Sequence, residues 1–329
     1  MNGLCIIHSW IGCCRKHIET SIIVTNTPKN MDCSFRALDT RSPQQQATDA
    51  DYEAVHMRLK QLFVSEFFGT FLFVYLGQSS ASSFELVGTQ NDIVNRQLAT
   101  IVFYGLAYLM ASLLALQTSG AHLNPAYSIS SAVFGFISWS QAFIYIIAQY
   151  LGSFIAAVFL HATLSDKLNT RHSEGLLVGM NITLRAHGNI LSTGKLFSSF
   201  PPTEVSTTQL CISYALATAS LTLLLILIHQ SRIIKIPRFM KPIYLASALA
   251  LVLGAFSANG GPVLNPAQDF SPRLYIAFFG WGSSAFNLYN FKYWWLCGLL
   301  APHFGSLIGM GIYKALADVH ECGSRKSPI

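Results

Sequence analysis

Long uncharged stretches set the pattern of this chain. Residues 67–84, 97–165, 205–231, 242–268 and 293–313 contain no Asp, Glu, Lys or Arg. They are apolar all round, with no polar face, which fits helices in lipid better than amphipathic surface helices. A membrane helix needs roughly 20 apolar residues. The block between Arg96 and Asp166 is too long for one span and fits two with a further segment. The pattern predicts an all-α membrane protein with six spans, at about 62–81, 98–117, 140–162, 206–229, 242–258 and 293–314. Polar, Gly-containing material is left over in two places.

Composition narrows the class. Of 329 residues, 52% are hydrophobic and 11% charged, against about 25% charged in an average soluble domain. A soluble enzyme, a disordered chain and a nucleic-acid binder are all poor fits. The few charges mark topology. The link 230–241 holds Arg232, Lys235, Arg238 and Lys241 and no acid. The positive-inside rule places it in the cytoplasm. It follows the fourth span, so both termini are expected to be cytoplasmic and the 163–205 loop outside. That loop carries Asn181-Ile182-Thr183, a glycosylation sequon. The net charge of +6 reads as topology rather than nucleic-acid binding.

The ends read as tails. Residues 1–60 are expected as a largely disordered cytoplasmic tail, with 40–53 a linker containing Ser42-Pro43 and Gln44-Gln45-Gln46. Residues 317–329 form a second tail. The apolar start Met1–Trp10 is broken by His8 and lacks a basic opening, which argues against a signal peptide. Cys13-Cys14 beside Arg15-Lys16 reads either as a palmitoylation site or as two plain tail cysteines. The seven cysteines have no metal-ligand spacing, and no disulfide framework is expected.

The chemistry sits in an internal repeat. Gly120-Ala121-His122-Leu123-Asn124-Pro125-Ala126 is echoed by Gly261-Pro262-Val263-Leu264-Asn265-Pro266-Ala267. Three spans lie between the copies, so the second approaches from the opposite side of the membrane. The halves, about 61–162 and 205–316, form an inverted repeat. Asn is a strong helix N-cap and Pro suits the first helical position. Each copy therefore starts a half-helix dipping into the membrane. Non-helical backbone at that depth survives only where it is buried or lines a cavity. Two such helices would aim their positive N-termini at one point, and the Asn amides would donate hydrogen bonds into a lumen. That arrangement holds neutral hydroxylic solutes and repels cations and protons. An ordinary Asn-Pro turn explains one copy but not two in matching places.

These motifs resemble the aquaporin (major intrinsic protein) family over about residues 60–316. Ser65-Glu66-Phe67-Phe68-Gly69-Thr70 is similar to that family's first-span signature. The resemblance implies an aquaporin-like fold, a homotetramer in the plasma membrane and no cofactor. It implies that Glu66, the one acid inside a predicted span, braces the first re-entrant loop; the other reading puts Glu66 at the inner headgroup level. His122, before Asn124, also fits the family pattern, and the resemblance implies that His122 and Asp269 line the pore or contact the solute. Asp269, Pro302 and Arg273 look like the glycerol-conducting branch, the aquaglyceroporins, whereas His303 departs from it.

The resemblance also implies an outer aromatic/Arg filter. Tyr104 stands at its aromatic position and Pro262 at a second. The fifth-span position maps to either Leu253 or Gly254. Where the family has Arg, this chain has Gln268, which carries no charge and fewer donors. The fourth span lacks the Glu expected there, with Ser213 or Tyr214 as stand-ins. The function so implied is a passive channel for glycerol, water and other small neutral solutes such as urea. The alternative is a poorly conducting structural or adhesion protein of the same fold. A transporter lacks an ionisable relay within the spans. An enzyme lacks a catalytic cluster, since His122, His161 and His303 lie on separate segments.

Overall fold

The computed structural model describes residues 43–87, 93–177, 193–200, 204–230, 235–259, 261–287 and 294–325. Asn181, Arg232 and the four cysteines of the first tail lie outside them. The chain divides into two units, Met1–Arg58 and Leu59–Ile329. Everything below concerns the second, apart from the start of its first helix.

All described regular structure is helical. In order come α1 (Pro43–Val87), α2 (Ile93–Ala115), α3 (Pro125–Val133), α4 (Trp139–Leu177), α5 (Thr207–Gln230), α6 (Lys241–Ala255), α7 (Pro266–Ile276), α8 (Ser284–Asn287) and α9 (Ala301–Arg325). A wider π-helical stretch, Trp294–Leu300, leads into α9. Among the described residues, six helices are long and apolar enough to cross a membrane, at 54–87, 94–115, 139–168, 207–230, 238–255 and 294–318. Each overlaps one predicted span, with 98–117 and 242–258 running two and three residues past their helix ends. Large apolar side chains such as Leu98, Val102, Leu113, Ile212 and Leu216 remain exposed on their flanks, as lipid contact requires.

Two helices run well past the predicted ends. Residues 43–53, expected as a disordered linker, are the first turns of α1. Pro43 suits a first helical position, and the Gln and Ala after it are good helix formers. Helix α4 likewise continues to Leu177, into the stretch expected as the outer loop.

The two halves pack by one rule. On α4, Gly152 lies so close to α1 that a Cβ would collide with the Phe67 carbonyl oxygen. On α9, Gly305 and Gly309 meet the carbonyl oxygens of Ala215 and Ala219 on α5 in the same way. Small residues let helix backbones touch where lipid supplies no hydrophobic drive. The match of Gly152 over Phe67 with Gly305 over Ala215 fixes the internal equivalence. Glu66, just before Phe67, corresponds to Tyr214, just before Ala215. Gln149, three residues before Gly152, corresponds to Pro302, three before Gly305.

Replacing Gly305 by Ala is expected to lower stability by about 1–3 kcal/mol through overpacking. Gly254→Ala, whose added methyl meets only an Ile101 methyl 3.9 Å away, should be neutral. Thermal unfolding of the purified protein in detergent distinguishes the two.

Candidate functional site

The two half-helices begin alike. Asn124 and Asn265 have extended backbone and cap α3 and α7, their Oδ1 atoms accepting from Ala126 N at 2.9 Å and Ala267 N at 3.0 Å. Pro125 and Pro266 follow at the first helical position. Each Asn then reaches across to the other loop. Asn124 Nδ2 donates to the Leu264 carbonyl at 2.9 Å, and Asn265 Nδ2 donates to the Leu123 carbonyl at 2.6 Å. The half-helices therefore meet end to end, cross-tied through the residue before each cap. An amide has two N–H donors, so each Asn keeps one beyond this bond.

The loops entering those caps are held differently. In the first, Gly120, Ala121 and Leu123 all have positive φ, at 87°, 52° and 52°. A non-Gly residue there costs about 1–3 kcal/mol and needs surroundings that enforce it. Glu66, fully buried, supplies them. Its Oε1 accepts from Ser119 Oγ at 2.5 Å and His122 N at 2.9 Å. Its Oε2 accepts from Leu123 N at 2.8 Å and Gln149 Nε2 at 2.7 Å. Tyr145 adds a bond to the Ser119 carbonyl.

In the second loop Gly261 repeats the φ of 87°, but Pro262 and Leu264 do not take positive values. Pro fixes its own φ near −65°, so this loop stores less strain. Its backing is apolar: Val263 packs in a cluster with Leu210, Tyr214, Trp294, Cys297 and Ala301. Tyr214, not Ser213, occupies the place equivalent to Glu66. Beside it the sulfurs of Cys211 and Cys297 lie 2.7 Å apart, linking α5 to the last span.

One cavity of about 400 Å³ runs from the paired asparagines toward the ends of α1 and α2. One part of its wall is apolar: Phe73, Leu221, Leu225, Leu249 and Leu253. Another part is polar: Asn124, Asn265, Gln78, Tyr104 and Gln268. Tyr104 donates to Gln78 Oε1 at 2.5 Å and lies within hydrogen-bonding reach of Gln268. Pro262 also lines the cavity, and so does Leu253 rather than Gly254. At the far end stand Glu85, Arg96 and Lys195.

Two sequence candidates sit elsewhere or do something else. His122 lies off this cavity, its ring packed edge-on against Tyr127 and Tyr145 and bonded to Ser128. His229 joins that group and bonds the Gly120 carbonyl at 2.8 Å. Asp269 lines the cavity, but its carboxylate is engaged by Arg273 at 3.1 Å and by Ser199 N at 2.9 Å. Arg273, 1% exposed, also donates to the Ala285 and Ser199 carbonyls and lies over the Phe200 ring. The pair fastens two connecting segments around the mouth. Gln78 and Arg96 were not singled out from sequence. Their signal was periodic: Gln78, Ser82 and Glu85 share a face of α1, while Arg96, Thr100, Tyr104 and Tyr108 share one of α2.

A family model described as Major intrinsic protein matches residues 53–313. The chain belongs to this family. It is a multi-pass membrane protein. The chain is 30% identical to human Aquaporin-9 over 259 residues, 78% of this chain and 82% of that one. It is 30% identical to human Aquaporin-10, covering 80% and 85% of the two chains. Aquaporin-3 of Milnesium tardigradum is also 30% identical, covering 80% and 79%. The X-ray structure of the aquaglyceroporin from Plasmodium falciparum superposes with a TM-score of 0.65 at 22% identity, over 79% of this chain and 99% of that one. That likeness shows the fold.

Within this major intrinsic protein the two loop supports predict unequal sensitivity. Glu66→Ala orphans the amides of His122 and Leu123, each worth about 1–3 kcal/mol when buried and unpaired. It should lower the unfolding midpoint sharply. Tyr214→Phe keeps the apolar backing and should shift it by a small fraction of that. Thermal unfolding of both variants in detergent checks the contrast.

Proposed function

We infer that this protein is a passive channel for glycerol, water and other small neutral solutes, and that it excludes ions and protons. The observation carrying this reading is the cavity, lined by both apolar and polar side chains, that reaches both asparagines. A polyol offers carbons on one side and hydroxyls on the other. The leucines and Phe73 suit the carbons; the Asn amides, Gln78 and Tyr104 suit the hydroxyls. The N-termini of α3 and α7 point at the same spot, and their positive ends repel cations there. Pairing with Arg273 keeps the Asp269 carboxylate from acting as a cation site. The carbonyls of Leu123 and Leu264 are taken up by the cross-bonds.

The lysines and arginines of the 230–241 link favour a cytoplasmic face for that end of the bundle, with both termini inside and the mouth at Arg96 outside. Plasma-membrane location and a homotetramer follow the family, and the exposed apolar flanks suit lipid and neighbouring subunits.

Shrinkage and reswelling of proteoliposomes in an imposed glycerol gradient is the test. Reswelling well above empty vesicles, linear in glycerol concentration, is expected. Rates equal to empty vesicles would leave the structural or adhesion reading. Gln268→Arg should narrow and charge the cavity wall and slow glycerol more than water in the same assay.

A further inference from the structure

Position 268 lacks a cation, yet the cavity wall carries one elsewhere. Arg96 stands eight residues before Tyr104 on the same face of α2, about 12 Å further out at 1.5 Å per residue. Both line the cavity. The Arg96 side chain is only 18% exposed. Its Nη1 meets Glu85 Oε2 at 3.0 Å. Its Nε is buried and makes no hydrogen bond among the described residues. Lys195 meets the other oxygen of Glu85 at 2.5 Å. Among the described residues lining the mouth, two cations face this one carboxylate, an excess of positive charge. The other acid lining the cavity, Asp269, is neutralised by Arg273.

We propose that Arg96, supported by Glu85 and Lys195, is the outer selectivity station of this channel, a cation and guanidinium donor set placed two helical turns outside the position where Gln268 stands. Glu85 orients the guanidinium from one side, Nε is buried, and the exposed part of the side chain is what a solute meets in the cavity. The excess charge raises the energy of a cation entering the mouth. A neutral polyol meets a donor there and then passes to Tyr104, Gln78 and Gln268. The cluster also closes a ring of segments. Glu85 comes from the end of α1, Arg96 from the start of α2, and Lys195 from the Gly194–Leu196 turn, whose Leu196 carbonyl accepts from Gln78 and Ser82.

This inference rests on the channel reading, and the test separates the two. Sodium entry and glycerol flux are measured on proteoliposomes holding wild type, Arg96→Gln or Glu85→Gln. Removing a unit charge close to the path at intermediate dielectric changes cation access by about tenfold or more. Arg96→Gln is therefore expected to raise sodium entry about tenfold. Glu85→Gln breaks the same ion pair but keeps both cations and removes the anion between them, so sodium entry stays at or falls below the wild-type level. A merely structural ion pair would make both variants leak alike, and that result overturns the proposal, as does no change in Arg96→Gln. If Arg96→Gln is not recovered folded, Lys195→Gln carries the test, with a smaller rise because Lys195 is 38% exposed and screened. No rise there overturns the proposal too. Wild-type glycerol flux at the empty-vesicle level would overturn the channel reading and this inference together. Normal glycerol flux with equal leaks overturns this inference alone.

Discussion

Two hydrogen bonds hold the centre of this molecule. Asn124 and Asn265 each use one oxygen to start a half-helix and one N–H to hold the carbonyl preceding the other's cap. In the middle of a membrane lipid offers no replacement for such bonds, and irregular backbone is tolerated there only where it is buried in protein or lines a cavity. The arrangement therefore couples the halves. Neither helix start can shift without breaking its own cap or the other loop's anchor. The same geometry removes two carbonyl acceptors from the lumen, gathers two helix dipoles at one point and leaves one N–H on each Asn for a solute.

The two halves reach this junction by unlike means. The first loop bends through two non-glycine residues with positive φ, and a buried carboxylate with four donors keeps it there. The second has Pro262 where the first has Ala121, relaxes at Leu264, and leans on Val263, Tyr214 and Trp294. The second half has Tyr214 where the first has Glu66, and its loop has less strain for a Glu to hold. The exchange is coordinated: Gln149, which binds Glu66, is Pro302 in the other half. A carboxylate at 214 would sit buried in an apolar cluster with no such partner, an expensive placement.

Much of this was legible in the sequence because lipid imposes simple rules. Uncharged runs of about 20 residues marked each span, and Asn-Pro after a glycine marked each half-helix. A single acid among apolar neighbours marked Glu66, and the family resemblance supplied its bracing role. What stayed hidden depends on meetings across the chain. The cross-bonds join residues 140 and 142 apart, and no local pattern announces a carbonyl as a partner. Asp269 was expected at the pore, and its tie to Ser199 was not legible because that residue belongs to a distant segment. Arg96 looked like the edge of a span. Only its phase with Tyr104, two turns along one helix, hinted at the cavity. His122 fits the motif through its backbone N–H, while its ring turns away into an aromatic group.

The reciprocal tie makes a definite energetic claim. Unfolding free energies in detergent are to be measured for Asn124→Ala, Asn265→Ala and the double variant. If one junction joins the halves, the first substitution already releases both loops, and the second adds less than its separate effect. The cycle should then show a coupling of about 0.5–3 kcal/mol, the range for residues in one network. Additive losses would mean that each Asn serves only its own helix, and would contradict the account.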